Sequence, residues 1–496
     1  MGIKSFLTLP FAKFIVFRNN RWKKNALIFQ EKIMLDLLFK ANKTVFGKDH
    51  FFSKIKTYSD FKKHVPLRDY EGLKIYIEQV VKKGEKNILW PGKPIYFCKT
   101  SGTTSGVKYI PISKESLPNH IKAARDSILN YIAETKKSSV VNGKMIFLQG
   151  SPKLLKKEGI HIGRLSGIVA HHTPYYLKRN QLPSFQTNCI EEWEKKIDAI
   201  VEETISENMT LISGIPPWVK MYFEKIKKKT GKTIKDVFPD FELFIYGGVN
   251  YAPYKKGFEK LIGKRIAGIE LYPASEGFIA YQDSQTEKGM LLCVNHGIFY
   301  EFVACDDFFN NNRKRISLAD VKIGINYVII LNTNAGLWGY IIGDTIKFVS
   351  TNPYRIIVTG RVAHFTSAFG EHVIAEEIES SLNDAVKIIP TQINELHVAP
   401  QVNPKKGLPY HEWFIEFEST PKNLTSFENL LDEGLKKYNS YYNDLITGAV
   451  LSPLKITIVK KNGFNNYMKS IGKLGGQNKV PRLANDRKIA DKLNTI

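Results

Sequence analysis

The segment Lys99-Thr-Ser-Gly-Thr-Thr-Ser-Gly-Val-Lys108 carries the sharpest chemical signal in the sequence. Thr100, Ser101, Thr103, Thr104 and Ser105 supply five hydroxyls, each able to donate to a phosphate oxygen. Gly102 and Gly106 let the backbone approach a ligand closely and turn its N–H groups inward, and Lys108 adds positive charge. Phe97 and Cys98 precede this loop in a strand-like stretch, and the alternating VKYIPI run follows it. The loop therefore joins two strands, with Ser113 placed to cap a helix starting near Lys114. It is not a Walker A loop, which needs G-K-[ST] opening directly into a helix. By composition alone, a flexible polar turn fits the segment as well.

Three later segments could complete a nucleotide site. Tyr246-Gly-Gly-Val-Asn-Tyr-Ala-Pro253 is an apolar strand running into Gly247, Gly248 and Val249, where bare backbone can lie against a flat ligand. Glu270-Leu-Tyr-Pro-Ala-Ser-Glu-Gly277 offers Tyr272 to stack on a base. Beyond Ala274 it offers Ser275 to bond phosphate, and Glu276 as the hard carboxylate that Mg²⁺ prefers. Trp338-Gly-Tyr-Ile-Ile-Gly-Asp-Thr345 sets Asp344 after Gly343 at an expected turn, with a carboxylate that accepts two hydrogen bonds. Arg361, in Val358-Thr-Gly-Arg361, is a cation at a point where the composition changes, which reads as a hinge. Each has a plainer reading: a strand end with a surface Glu, or a Gly-Asp turn.

The elements that must position these residues can be read from hydrophobic periodicity. Residues 20–90 are mainly helical, as in ALIFQEKIMLDLLFKANK. From Pro94 onward, short apolar runs alternate with helices: MIFLQG, MTLISG, LFIYGG and YVIILNT, with IEEWEKKIDAIVEETI between two of them. Buried strands separated by helices predict an α/β architecture. From about residue 365 a separate small α/β unit is expected: HVIAEEIESSLNDAV, ELHVAPQV, EWFIEFE, a helix near Leu430 and KITIVKK. The first residues, MGIKSFLTLPFAKFIVF, are interrupted by Pro10 and Lys13 and are too short to span a bilayer. An amphipathic helix packed on the body is expected there, with no signal peptide and, with Phe6 at the sixth position, no myristoylation motif.

The 496 residues allow two to four domains, and 43% hydrophobic residues allow a large core. The net charge of +24 has three readings: a nucleic-acid face, attraction of small anions, or solvated surface lysine. Lysine is scattered and no basic run interleaves with aromatics, so the last reading is preferred and no nucleic-acid partner is expected. Cys98, Cys189, Cys293 and Cys305 form no C-x-x-C pair, which fits a reducing cytoplasm without structural zinc. His171, His172 and the other histidines show no ligand spacing, and no G-x-S-x-G is present.

In order, the four segments resemble the acyl-adenylate-forming superfamily. KTSGTTSGVKYIPIS, SGIPPWV, YPASEG, GYIIGD, GRVAHFTSAFGEHV and GKLGGQNKVPRL are similar to the acyl-acid–amido synthetases, named for the auxin-responsive Gretchen Hagen genes, in bacterial style. The resemblance implies the adenylate-forming α/β fold: a large multi-sheet domain, residues 1–362, and a small mobile α/β domain, residues 363–496. It implies ATP and Mg²⁺, with the Gly-Gly segment on adenine, Asp344 on the ribose hydroxyls and Glu276 on the metal. Activation of a carboxylic acid as acyl-AMP would be followed by transfer to an amine, as to amino acids in plant members. Lys479, in Gln477-Asn-Lys-Val-Pro481, is the candidate mobile lysine, with surface charge as its plainer reading. The chain departs from the family at His372, where lysine is common, whereas the extra residue before Gly106 and the missing Pro before Lys108 depart from the superfamily pattern in a way typical of this branch. A cytoplasmic monomer or weak oligomer is expected. An acyl-CoA ligase would share the first step, but its P-K-T-x-x-G-K ending differs from GKLGGQNKVPRL. A non-catalytic nucleic-acid-binding protein is the third alternative.

Overall fold

The computed structural model describes the chain apart from residues 1–2, 101–107, 174–177, 249–250, 252–254, 310–311, 363–364, 367, 372, 472–479 and 494–496. Among the described residues, twelve strands form one continuous sheet. Five neighbours in it run parallel: Gln181–Leu182, Lys144–Phe147, Met209–Ser213, Leu243–Gly247 and Ala267–Ala274. Parallel strands need crossover connections, and the chain fills these with helices that cover both faces. Adjacent strand residues point to opposite faces. Ile146, Ile212 and Phe244 accordingly join the core under helices Trp193–Thr204, Pro216–Thr230 and Lys255–Ile262. Met145, Leu211 and Ile245 join the opposite core, beneath helix Leu117–Thr135 and the first helix, Ile3–Lys24.

The other seven strands continue the sheet in antiparallel fashion, from Gly277–Tyr281 out to Arg315–Ser317. A second sheet holds Lys108–Ile112, Tyr96–Thr100, Ile160–Gly163 and Leu155–Lys157. Toward the C-terminus, strands Gln392–Gln401, Tyr410–Ser419 and Lys455–Ile458 form a third sheet. Helices Ala375–Ile388 and Leu424–Tyr438 share a core with it, and Trp218 and Met221 of helix Pro216–Thr230 pack against that core.

Three local expectations are revised. The helix after the phosphate-type loop begins at Leu117 rather than near Lys114. Ser113 Oγ instead accepts from the N–H groups of Glu115 and Ser116, a turn that delays the helix by competing for its first donors. Asp344 lies inside the long strand Tyr340–Thr351, and Gly343 takes φ +90° within that strand without ending it. The helix Ile3–Lys24 continues through Pro10 and is apolar on its outward side as well as its inward one, so it is not amphipathic in the expected sense.

Candidate active site

In an open α/β sheet the crevice beyond the carboxyl ends of the parallel strands is the natural ligand site, because the crossovers part there. Two of the sequence segments end at that edge. The strand Leu243–Gly247 pairs through Gly247 with Leu271, and a Cβ at Gly247 would lie 2.3 Å from the Leu271 carbonyl oxygen. Glycine is required for that approach. Gly248 follows at φ +79° with open space where a side chain would stand. The neighbouring strand ends at Ala274, Ser275 and Glu276 make the turn, and Gly277 starts the return strand paired back on Ala274.

Tyr272 and Glu276 meet two residues from the long strand Tyr340–Thr351. The Tyr272 hydroxyl donates to Asp344 Oδ2 at 2.5 Å, and the Tyr340 hydroxyl donates to Glu276 Oε1 at 3.4 Å. Three strands separate the Tyr272 and Asp344 strands in sheet order, so these contacts require the sheet to curl back on itself. The result is a crossed pair of contacts in which each carboxylate is steadied by a phenol from the other segment, with Asp344 buried. Arg361 stands opposite Asp344 in the adjacent strand register.

The turn also meets the second sheet. The buried Cys98 thiol lies beside the Ser275 hydroxyl and the Glu276 charge. Burial pushes this thiol well above its ordinary range; the Ser275 hydrogen bond opposes the rise and the Glu276 charge adds to it. Cys98 therefore stays a neutral thiol that packs the floor of the site, with no thiolate to attack or to bind metal. Two residues along its strand, Thr100 pairs with Lys108 across a hairpin. Lys108 Nζ stands 5.7 Å from the centre of the Tyr70 ring, and the Tyr70 hydroxyl accepts from the N–H of Tyr109 at 2.9 Å. Burial raises the Tyr70 phenol to about 12, so it remains a neutral support. Ser101, Gly102, Thr103, Thr104 and Gly106 lie outside the described residues, as do Val249, His372 and Lys479.

The C-terminal sheet and helices reach the same neighbourhood. Arg164, just past strand Ile160–Gly163, pairs with Asp444 at 2.5 Å and lies 4.8 Å over the ring of Tyr441. Both partners belong to helix Ser440–Thr447, and burial raises the Tyr441 phenol above its ordinary range. The sequence reading missed Tyr340, Cys98, Arg164 and Tyr441. One signal for Tyr340 was there: it precedes Asp344 by the same four residues that separate Tyr272 from Glu276.

Comparison with known proteins matches the GH3 family N-terminal domain over residues 18–191, its central domain over 291–361 and its C-terminal domain over 374–488. The chain belongs to the GH3 family. This GH3 chain is 20% identical to a jasmonoyl–L-amino acid synthetase of Nicotiana attenuata, over 85% of each protein. It is 20% identical to an indole-3-acetic acid-amido synthetase of Arabidopsis thaliana, covering 95% of this chain and 92% of the relative. Its fold matches that of the GH3.15 acyl acid amido synthetase in complex with 2,4-DB at TM-score 0.62, with 16% identity over 98% and 96% of the two chains. A 2-hydroxyisobutyryl-CoA ligase matches at TM-score 0.56, with 13% identity over 96% and 92%. The GH3 chain thus has the adenylate-forming fold and is an acyl-acid–amido-synthetase-type ligase. No helix among its described residues is long and apolar enough to cross a membrane.

Proposed function

We propose that this enzyme uses ATP to activate a carboxylic acid and passes the acyl group to an amino acid, releasing pyrophosphate and then AMP. The observation that carries the reading is the cross-bonded cluster of Tyr272, Asp344, Tyr340 and Glu276 at the carboxyl edge of the parallel strands. Gly247 and Gly248 offer flat backbone to adenine, and the Tyr272 ring stands next to that strand. Asp344 accepts the ribose hydroxyls, and Arg361 occupies the position opposite it in the adjacent strand register. Thr100 and Lys108 flank the phosphate loop, in which Ser101, Gly102, Thr103, Thr104 and Gly106 donate to the triphosphate.

Among the described residues no group of three or more His, Cys, Asp and Glu could hold a metal by itself. That fits Mg²⁺, which binds through one or two carboxylates and the phosphates of its nucleotide. Glu276 is the carboxylate suited to hold it, with Ser275 beside it for phosphate. When bound, the cation neutralises charge on the triphosphate. The protein's own part is to align the acid and to supply donors to the phosphate oxygens. A carboxylate oxygen forms a bond to the α-phosphorus as the bond to pyrophosphate breaks. The amine nitrogen then attacks the acyl carbon, the acyl–oxygen bond breaks, AMP leaves and the amine proton passes to solvent. Two arrangements of residues 363–496 against residues 1–362 serve the two steps, with Lys479 brought to the acid in the first.

The enzyme is cytoplasmic and acts without nucleic acid, as a monomer or weak oligomer. The test is carboxylate-dependent release of pyrophosphate from ATP and Mg²⁺ over aryl and aliphatic acids, with pooled amino acids and separately with CoA. Acid-dependent turnover drained by amino acids is expected. Draining by CoA alone would make it a CoA ligase, and silence across the panel together with no ATP binding would overturn the reading.

A further inference from the structure

The helix Ile3–Lys24 stands apart from the chemistry just described. Its inward side is fixed to the body: Ala12 and Ile15 are buried against helix Leu117–Thr135, and Trp22 is buried further along. Ser5 Oγ lies 2.7 Å from Ser138 Oγ, and the Asn19 amide donates to Asp126 at 2.9 Å. A surface helix held this way ordinarily turns charge to solvent. Here Phe6, Leu7, Phe11, Phe14 and Phe17 are 69, 60, 47, 58 and 76% exposed. At 3.6 residues per turn these five occupy a sector about 140° wide, opposite the buried side.

Charge says what covers this sector. Residues 1–30 contain six Lys and Arg and no Asp or Glu, within a chain of net charge +24. Lys4, Lys13, Arg18, Arg21 and Lys24 are exposed, and among the described residues none of them forms an ion pair. An aromatic stripe bordered by Lys4 and Lys13, and continued beyond Phe17 by Arg18, Arg21 and Lys24, complements an interface of acyl chains beneath anionic headgroups. A second copy would set the same cations against one another. No described helix can cross a bilayer, so the helix would lie in the surface plane.

We propose that the outward face of the Ile3–Lys24 helix docks the enzyme on an anionic lipid bilayer, with the phenylalanines in the headgroup boundary and the cations on the headgroups. The experiment is co-sedimentation of the full chain with phosphatidylcholine vesicles, with and without phosphatidylglycerol. Binding should require phosphatidylglycerol and should weaken as salt rises. Phe14→Ser combined with Phe17→Ser should lower the partition coefficient at least about tenfold. Thermal unfolding and vesicle-free ATP–pyrophosphate exchange should be unchanged, because both positions are exposed. Lys13→Glu with Arg21→Glu should weaken binding to the anionic vesicles. Equal binding to neutral vesicles, full binding by the double phenylalanine variant, or no binding at all would overturn the proposal. So would a dimer in sedimentation velocity that the phenylalanine variant dissolves, which would assign the face to a second copy.

Discussion

Removing the Asp344 carboxylate tests the nucleotide reading most directly. Asp344 is buried and accepts from the Tyr272 hydroxyl at 2.5 Å, and a carboxylate's two oxygens can each accept more than one hydrogen bond, the chemistry that two ribose hydroxyls require. Hydrogen bonds to a charged acceptor are worth about 1.5–3 kcal/mol each, so losing two of them costs about 3–6 kcal/mol of binding. In Asp344→Ala this becomes a fall of about 10²–10⁴ in kcat/KM for ATP, read by acid-dependent ATP–pyrophosphate exchange. The Tyr272 hydroxyl also loses its acceptor, which destabilises the fold by about 1–3 kcal/mol. A thermal melt must therefore accompany the kinetics. Tyr272→Phe separates the two contributions: it removes the donor but keeps the ring for adenine, so exchange should fall less than about tenfold. If folded Asp344→Ala exchanged pyrophosphate at the wild-type rate, Asp344 would have no part in holding the nucleotide and the site would have to be moved.

Glu276→Ala should abolish most acid-dependent exchange while the protein stays folded. Tyr340→Phe, which removes a long 3.4 Å bond to Glu276, should cost only about 0.5–1.5 kcal/mol, or about threefold to tenfold, and should raise the Mg²⁺ concentration needed for half-maximal rate. Lys479→Ala should slow one half-reaction more than the other when adenylate formation and amide formation are timed separately; equal rates to wild type in both would remove Lys479 from the mechanism. Burial holds His120 at about 4 against 6.5 in the unfolded chain, so between those values the unfolded state binds the extra proton. Stability is then full above 6.5 and falls as pH drops toward 4, by about 3 kcal/mol at about 1.4 kcal/mol for each pH unit. His120→Gln should flatten that fall in urea midpoints measured across this range; an equally steep fall in the variant would place the acid sensitivity elsewhere, with the buried His296 the next group to test.

The residues by themselves determined the local layer of this protein. Short apolar runs became the buried parallel strands, because a strand covered on both faces must be apolar throughout. The Gly-Gly pair marked a close backbone approach, since no side chain at Gly247 fits against the Leu271 carbonyl. The order of the four segments was enough to read the family. Local pattern failed where a contact decided the outcome. Asp344 looked like a turn residue because a glycine precedes it, yet pairing with the neighbouring strand carries the backbone straight through. The first helix looked amphipathic in outline, and only its packing on helix Leu117–Thr135 decided that four phenylalanines face outward. The partnership of Tyr272 with Asp344, of Tyr340 with Glu276, and of Cys98 with both Ser275 and Glu276 depends on the curl of a twelve-stranded sheet and on a second sheet laid beside it. Hydrophobic periodicity reports which face of an element is buried; which distant elements then meet is set by how the whole sheet closes, and no short window of sequence contains that.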